Sequence, residues 1–170
     1  RGNATGKPRG LCQVHIEFTS VARAEFYFER GQAYAAKGQW QDAIADYDKA
    51  IELAPDNATI YHNRGMARGN LGQWTLAVFD FDDAIRLYPE YADAYQNRGA
   101  AYANQGYWSL AIPDFDKAID LDGGTANAYN NRGYLYAFRG KWADAVLDLN
   151  KAIELDPDNA QAYNTLGNVY

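Results

Sequence analysis

Reactive and metal-binding side chains are scarce in this sequence. Its 170 residues include a single cysteine, a single methionine and two histidines. One cysteine, Cys12, cannot form a disulfide within the chain and cannot supply a multi-cysteine zinc site. The two histidines, His15 and His62, lie far apart in the sequence, and no motif joins them to Cys12. We therefore expect no enzymatic activity, no metal site and no cofactor.

Long apolar runs and excess positive charge are also missing. No stretch approaches the roughly 18 to 20 apolar residues that a membrane-spanning helix needs, and the start does not resemble a signal peptide. With 16 basic against 22 acidic residues, the net charge is −6 and the pI about 4.8. Such a chain repels phosphate, so we expect it to bind neither nucleic acid nor an anionic membrane. We favour the cytoplasm, with the periplasm as the alternative if a leader has been removed.

The sequence is rich in aromatic residues, with 14 Tyr, seven Phe and four Trp, and they recur with a period of 34. Written in rows from Ala24, the chain gives rows 24–57, 58–91, 92–125 and 126–159 without gaps, and residues 160–170 begin a fifth. Tyr recurs at row position 4, Gly at positions 8 and 15, and Ala at positions 20 and 27. All four Trp fall at position 17, which chance would produce roughly once in 34 cubed. The repeat is therefore real.

Each row predicts two helices joined by a turn. Positions 1–14 carry Ala and Tyr at helical spacing, and the Gly at position 15 supplies a left-handed helix cap. Positions 18–31 repeat an apolar phase and end at Pro55, Pro89 or Pro157. Pro113 lies inside the second helix of the third row, where we expect a mild bend rather than a break. Because one hairpin cannot bury its own apolar face, the rows must stack.

The motif Tyr-x-x-x-Gly-x-x-Tyr, followed by Ala-x-x-x-Tyr/Phe-x-x-Ala and Pro, is complete in residues 27–55. It resembles the tetratricopeptide repeat (TPR), and the recurring Asn-Arg-Gly triplets resemble bacterial repeats of this kind. The resemblance covers residues 24–170. It implies an all-α fold, a right-handed superhelix of helix–turn–helix repeats in which the first helix of each repeat lines a concave groove. Members of the family bind diverse partners, so the fold alone does not settle the function.

Residues 1–23 lie outside the repeat and carry four basic residues against one acidic residue. Residues 1–10 lack periodicity, which predicts a flexible tail. Residues 12–18 alternate apolar and polar side chains, a pattern typical of a strand, yet beside a helical body we expect a cap or an extension of the first helix. We expect residues 160–170 to be a capping helix or the start of a fifth repeat.

Row position 7 is Arg in four rows, where the family usually has an interior Leu. An unpaired guanidinium in a packed interface is costly, and position 23 is Asp in the same rows. We predict four structural ion pairs; the alternative is that both side chains reach solvent separately. The predicted pairs are Arg30–Asp46, Arg64–Asp80, Arg98–Asp114 and Arg132–Asp148. The further aspartates at position 25 are interpreted as a solvated face.

The resemblance places positions 2, 5, 6 and 9 of each first helix on the concave side, where amide side chains dominate. An amide both donates and accepts, so a series of them can bind the main chain of an extended peptide. The pattern is similar to the asparagine ladder of the TPR segment of O-GlcNAc transferase. The candidate groove residues are Phe28, Gln32, His62, Asn63, Met66, Gln96, Asn97, Asn127, Asn130, Asn131, Tyr134 and Asn164. The alternative is that Asn at position 6 only satisfies local hydrogen bonds.

These features predict a scaffold that binds a peptide or a partner protein in its groove. No Lys or Arg occupies the four groove positions, so the site does not resemble the carboxylate clamp that captures acidic chaperone tails. The alternative function is structural: self-association through the ends of the solenoid, giving homo-oligomers such as dimers or filaments.

Overall fold

The computed structural model of the chain describes residues 9–169, with side chains from residue 19 onward. Within that range the regular structure is α-helical and contains no strand. The helices are α1 (Arg9–Ala36), α2 (Trp40–Leu53), α3 (Ala58–Asn70), α4 (Trp74–Leu87), α5 (Ala92–Asn104), α6 (Trp108–Asp122), α7 (Ala126–Phe138), α8 (Trp142–Leu155) and α9 (Ala160–Gly167). None of these helices has the length and apolar character that a bilayer crossing requires. The architecture is an all-α superhelical repeat.

The turn inside each helix pair depends on glycine. Gly38, Gly72, Gly106 and Gly140 have φ between 71° and 79°, a conformation that side chains disfavour. The chain therefore turns sharply at row position 15, and the tryptophan at position 17 begins the second helix. The predicted start at position 18 is thus one residue late.

Helix pairs stack in chain order. Each odd-numbered helix from α1 to α7 packs against the helix that follows it, and each second helix also packs against the first helix of the next pair. First helices also contact one another: α1 contacts α3, α3 contacts α5, and α7 contacts α9. The first helices thus lie side by side and form one face of the solenoid.

The core between the two helices of a pair is built from a glycine that faces a large side chain. A Cβ added to Gly31 would lie 2.6 Å from Cε1 of Tyr47, and one added to Gly65 would lie 2.7 Å from Cε1 of Phe81. The facing rings are buried, and the alanines at position 20 are fully buried as well. The missing side chain at position 8 therefore sets how closely the two helices approach.

Irregular positions in the sequence are accommodated locally. Helix α6 continues through Pro113 without a break, as expected. It ends at Asp122 and is capped by Gly123, which has a φ of 80° and takes the place of the proline that closes other rows. Residues 9–23 belong to α1, so the alternating pattern at 12–18 does not form a strand. The predicted tail covered residues 1–10, but residues 9 and 10 are helical, and residues 1–8 lie outside the described residues.

Candidate functional site

The position-7 arginines contact the position-23 aspartates of their own rows. The shortest nitrogen–oxygen distances are 2.6 Å for Arg30–Asp46, 2.6 Å for Arg64–Asp80, 2.6 Å for Arg98–Asp114 and 2.7 Å for Arg132–Asp148. In each pair Nε and Nη2 both donate to the carboxylate, which gives a bidentate geometry. The aspartates are buried between the two helices of each row, and of the four arginines Arg30 is the most exposed, at 41%.

Each of the three later arginines binds a second aspartate, at position 25 of the preceding row. The Nη1 atoms of Arg64, Arg98 and Arg132 each lie 2.6 Å from Asp48, Asp82 and Asp116, respectively. These aspartates are 44–47% exposed, so they do face solvent, but each also pairs with an arginine, which the sequence did not predict. Residues two apart on a helix point about 200° apart, so each aspartate of such a pair meets a different first helix. The result is an ion-pair ladder that joins neighbouring rows.

The guanidinium groups of the ladder also lie over aromatic rings. The Cζ of Arg98 is 5.4 Å from the ring centre of Tyr95 and 6.0 Å from that of Tyr102. Hydrogen bonding to Asp114 raises the pKa of Arg98 above its already high value, so the guanidinium stays charged. In the same way, the hydrogen bond from Arg30 lowers the pKa of Asp46. The four position-7 arginines are thus held by aspartates between the two helices of each row.

Cavities lie along the face of the first helices. The middle cavity, of about 540 Å³, lies between α3 and α5. Its lining residues are Gly65, Met66, Gly69, Asn70, Gly72, Trp74, Ala77, Phe81, Asn97, Ala100 and Ala101. Gly69 of α3 leaves room beside the Trp74 ring, which a Cβ at this position would approach within 3.3 Å. Of the predicted groove residues, the middle cavity brings together Met66 and Asn97.

The C-terminal cavity, of about 520 Å³, lies among α5, α7 and α9. It is lined by Ala100, Ala103, Asn104, Gly106, Trp108, Asn130, Asn131, Tyr134, Leu135, Phe138, Gln161 and Thr165. The rings of Trp108 and Phe138 meet edge to face with their centres 4.3 Å apart and form an aromatic wall. Of the predicted groove residues, this cavity brings together Asn130, Asn131 and Tyr134.

The remaining predicted groove residues are distributed differently. Phe28 lines a third cavity of about 350 Å³ with Glu25 and Ile60. Gln96 accepts a hydrogen bond from the hydroxyl of Thr125. Three further predicted residues are exposed on the first helices but line none of these cavities: Gln32, Asn127 and Asn164.

The three asparagines at row position 6 have different environments. Asn63 Nδ2 donates to the carbonyl of Thr59 at 2.8 Å, the kind of local bond that the alternative interpretation expects. Asn97 Nδ2 lies 2.9 Å from His62 Nε2, whereas Asn131 Oδ1 is within 3.4 Å of Asn130 Nδ2. These side chains do not form a uniform ladder, and only Asn97 and Asn131 line the cavities described above.

Sequence reasoning missed the tryptophan contribution to the cavities. The tryptophans indicated only the period of the repeat, yet Trp74 and Trp108 each line a cavity beside an asparagine at position 13, Asn70 or Asn104. Recurrence of Asn at position 13 in two consecutive rows was the available signal.

His62 is a buried side chain of the second row that contacts residues of the third row. The residue is 7% exposed, and its ring lies 4.8 Å from that of Tyr91 and 5.8 Å from that of Phe81. Burial lowers the pKa of His62, although Asp93 opposes this shift. The neutral ring can accept the hydrogen bond from Asn97 through Nε2.

The lowered pKa of His62 predicts that stability falls with acidification. Below the ordinary histidine pKa of about 6.5 the unfolded chain binds a proton that the folded chain resists, so the free energy of unfolding decreases as the pH falls. Urea denaturation between about pH 8 and about pH 5 should therefore show a larger loss for the wild type than for His62→Gln. Because His15 is present in both proteins, equal losses would mean that His62 is not responsible.

The ion-pair ladder, the stacked helix pairs and the open face of the first helices define the class of protein: an all-α repeat scaffold. Family models described as "TPR repeat" match residues 31–72 and 136–170, and models described as "Tetratricopeptide repeat" match residues 58–91 and 92–124. A crystal structure of MamA is 30% identical, with 81% of each chain covered and a TM-score of 0.74. The chain belongs to the tetratricopeptide-repeat family, so the prediction from its sequence motifs is confirmed. Its fold is that of a protein-interaction scaffold.

Other solved structures support the same fold. YrrB, described as a TPR protein with an unusual peptide-binding site, is 26% identical, with 85% of this chain and 74% of that chain covered and a TM-score of 0.72. MamA from Desulfovibrio magneticus RS-1, residues 41 to the end, is 23% identical over 86% of this chain and 83% of its own, with a TM-score of 0.79. A search of curated proteins finds no match. The Asn-Arg-Gly subtype of the repeats stays a prediction.

Proposed function

We propose that the protein holds an extended peptide segment of a partner protein against the face of its first helices, without catalysing a reaction. The observation that carries this proposal is the pair of consecutive cavities, each of which combines an aromatic wall with amide side chains and has no charged residue in its lining. Apolar side chains of a peptide would enter the cavities, and the amides would bind its main chain.

The charges around the face disfavour an acidic partner. Glu25, Glu29 and Asp93 are exposed at the positions assigned to this face, and the basic residues at position 7 are engaged by aspartates. A negatively charged peptide would therefore meet repulsion without a cation to bind. The description of YrrB as a TPR protein with a peptide-binding site supports this kind of function for a related fold.

Self-association is the second candidate function. Tyr163 of α9 is 51% exposed and Leu155 at the end of α8 is 46% exposed, so apolar surface is available at the last described row. Stacking on this surface would produce dimers or filaments. Light scattering that rises with concentration in the wild type, and not in Tyr163→Glu, would favour this function; a monomer at all concentrations would exclude it.

The proposed peptide site predicts unequal roles for the three position-6 asparagines. A partner would be identified by affinity capture and mass spectrometry, and its binding segment by an overlapping peptide array. We expect Asn97→Ala combined with Asn131→Ala to weaken binding of that segment about tenfold or more, because each lost hydrogen bond costs about 0.5–1.5 kcal/mol. Fluorescence anisotropy measures the affinity.

Asn63→Ala is the matched control, since Asn63 lines none of the three cavities and its Nδ2 is bonded to its own helix. Its affinity should stay within about twofold of the wild type. Circular dichroism would verify that helicity is unchanged in all variants. Equal affinity of the Asn97 and Asn131 double variant and the wild type would remove these amides from the proposed site.

A further inference from the structure

Asn130 is a buried side chain with an unsatisfied acceptor. The residue is 3% exposed, and its Oδ1 has no hydrogen-bond partner. Its Nδ2 donates to Asn131 Oδ1 at 3.4 Å and to Gln161 Oε1 at 3.5 Å, both at the long limit of a hydrogen bond. A buried acceptor without a donor destabilises the folded chain. Asn130 lines the C-terminal cavity, and a ligand there could supply the donor once the amide turns, because Oδ1 is itself inaccessible in this conformation.

The surroundings of Asn130 define what such a ligand must be. Asn130 lines the C-terminal cavity, whose other walls are the apolar side chains of Trp108, Leu135 and Phe138. No charged side chain lines this cavity. An uncharged, bulky side chain would therefore be favoured in it, while the unsatisfied oxygen calls for an N–H group and repels a carboxylate.

We propose that the C-terminal cavity is an anchor pocket for one aliphatic or aromatic side chain of a peptide whose main-chain N–H donates to Asn130 Oδ1. This inference rests on the proposed function and names the chemistry that the site selects. Gln161 is exposed and its contact with Asn130 is long, so the Asn130 amide can turn toward the cavity when a donor arrives.

The middle cavity sets the spacing of a second anchor. The two cavities share Ala100 and lie one row apart. Packed helices lie about 8–10 Å apart, and three residues of a polyproline II helix span about 9 Å on one side of the peptide. A segment with apolar side chains three residues apart would place one in each cavity. The exposed Glu25 and Glu29 favour a basic residue on the side nearer α1.

The test uses the full chain and a fluorescein-labelled synthetic peptide in which two leucines, three positions apart, stand among Pro, Ala and Lys. Anisotropy should show that Asn130→Leu binds this peptide at least tenfold more weakly than the wild type. The same variant should raise the thermal midpoint by about 2–4 °C, because it removes the unsatisfied acceptor. A residue kept only for structure would not combine greater stability with lost binding.

Two further comparisons isolate the pocket and the hydrogen bond. Phe138→Ala should weaken binding, whereas Phe79→Ala should not; both side chains are 59% exposed, and Phe79 does not line the cavity. N-methylation of the anchoring leucine removes the peptide donor. It should weaken binding to the wild type about tenfold and have little further effect on Asn130→Leu.

The outcomes separate this inference from the proposed function. One outcome is that Asn130→Leu or Phe138→Ala keeps the wild-type affinity for the peptide, while the double variant Asn97→Ala with Asn131→Ala has a lower affinity. In that case the peptide site stands and the anchor pocket is wrong. Equal effects of N-methylation on the wild type and Asn130→Leu would also overturn it. If Asn130→Leu fails to fold, Phe138→Ala and the N-methylated peptide decide. No binding of the peptide to the wild type at millimolar concentration overturns the inference.

Discussion

Replacing Arg98 with Leu is expected to lower the free energy of unfolding by about 3–5 kcal/mol, because it leaves a buried carboxylate without its counter-charge. Asp114, its bidentate partner, has a side chain that is 8% exposed, and Arg98 itself is 19% exposed. The change also removes the contact with Asp82 in the preceding row. Urea denaturation followed by circular dichroism at neutral pH measures the effect.

Arg86→Ala is the matched control for the ladder. Arg86 is 64% exposed and pairs with Asp83 three residues earlier on the same helix, so its loss should change stability by less than about 1 kcal/mol. Arg98→Leu combined with Asp114→Leu should recover much of the lost stability, since the pair is then replaced by apolar groups. An Arg98→Leu protein as stable as Arg86→Ala would show that the ladder contributes little.

Truncating Phe115 to Ala is expected to cost about 3–5 kcal/mol, the range typical of a buried aromatic side chain. Phe115 is fully buried and packs against Gly99, where the ring fills the space that the missing side chain leaves. Since the stability of a repeat array depends on contacts between neighbours, the cavity should also weaken the coupling of the third row to the fourth. Thermal and urea denaturation both report the loss.

Phe79→Ala provides the comparison, because Phe79 is 59% exposed on the neighbouring row. Its truncation should change the free energy of unfolding by no more than about 0.5 kcal/mol. Similar losses in the two variants would mean that position 24 of the row is less important for packing than its burial suggests.

The fold could be predicted from the sequence because its signals recur with the period of the structure. Helices α3 and α4, for example, occupy row positions 1–13 and 17–30, close to the predicted 1–14 and 18–31. The proximity of Arg64 and Asp80 followed from the cost of an unpaired charge between packed helices. These inferences depend on contacts within one row.

The parts that the sequence did not predict depend on how rows are placed relative to one another. The contact of Arg64 with Asp48 requires the rotation between the first two rows, which no pattern within a row contains. The cavities depend on several helices at once, so Trp108 could not be assigned to one from its spacing alone. Asn130 was predicted to lie on the groove and does line a cavity, but its burial and unsatisfied oxygen needed coordinates.

The ladder gives the first four rows the same kind of junction. Arg64, Arg98 and Arg132 each join one aspartate of their own row to one of the row before, with the same 2.6 Å contact across the three junctions between the first four rows. If the second or third row were excised, or one of the first three rows duplicated in tandem, each new junction would again present an arginine to an aspartate at the correct place. Such a chain can gain or lose whole rows during evolution without new ion pairs having to evolve at each junction. The side chains that contact a partner can change independently.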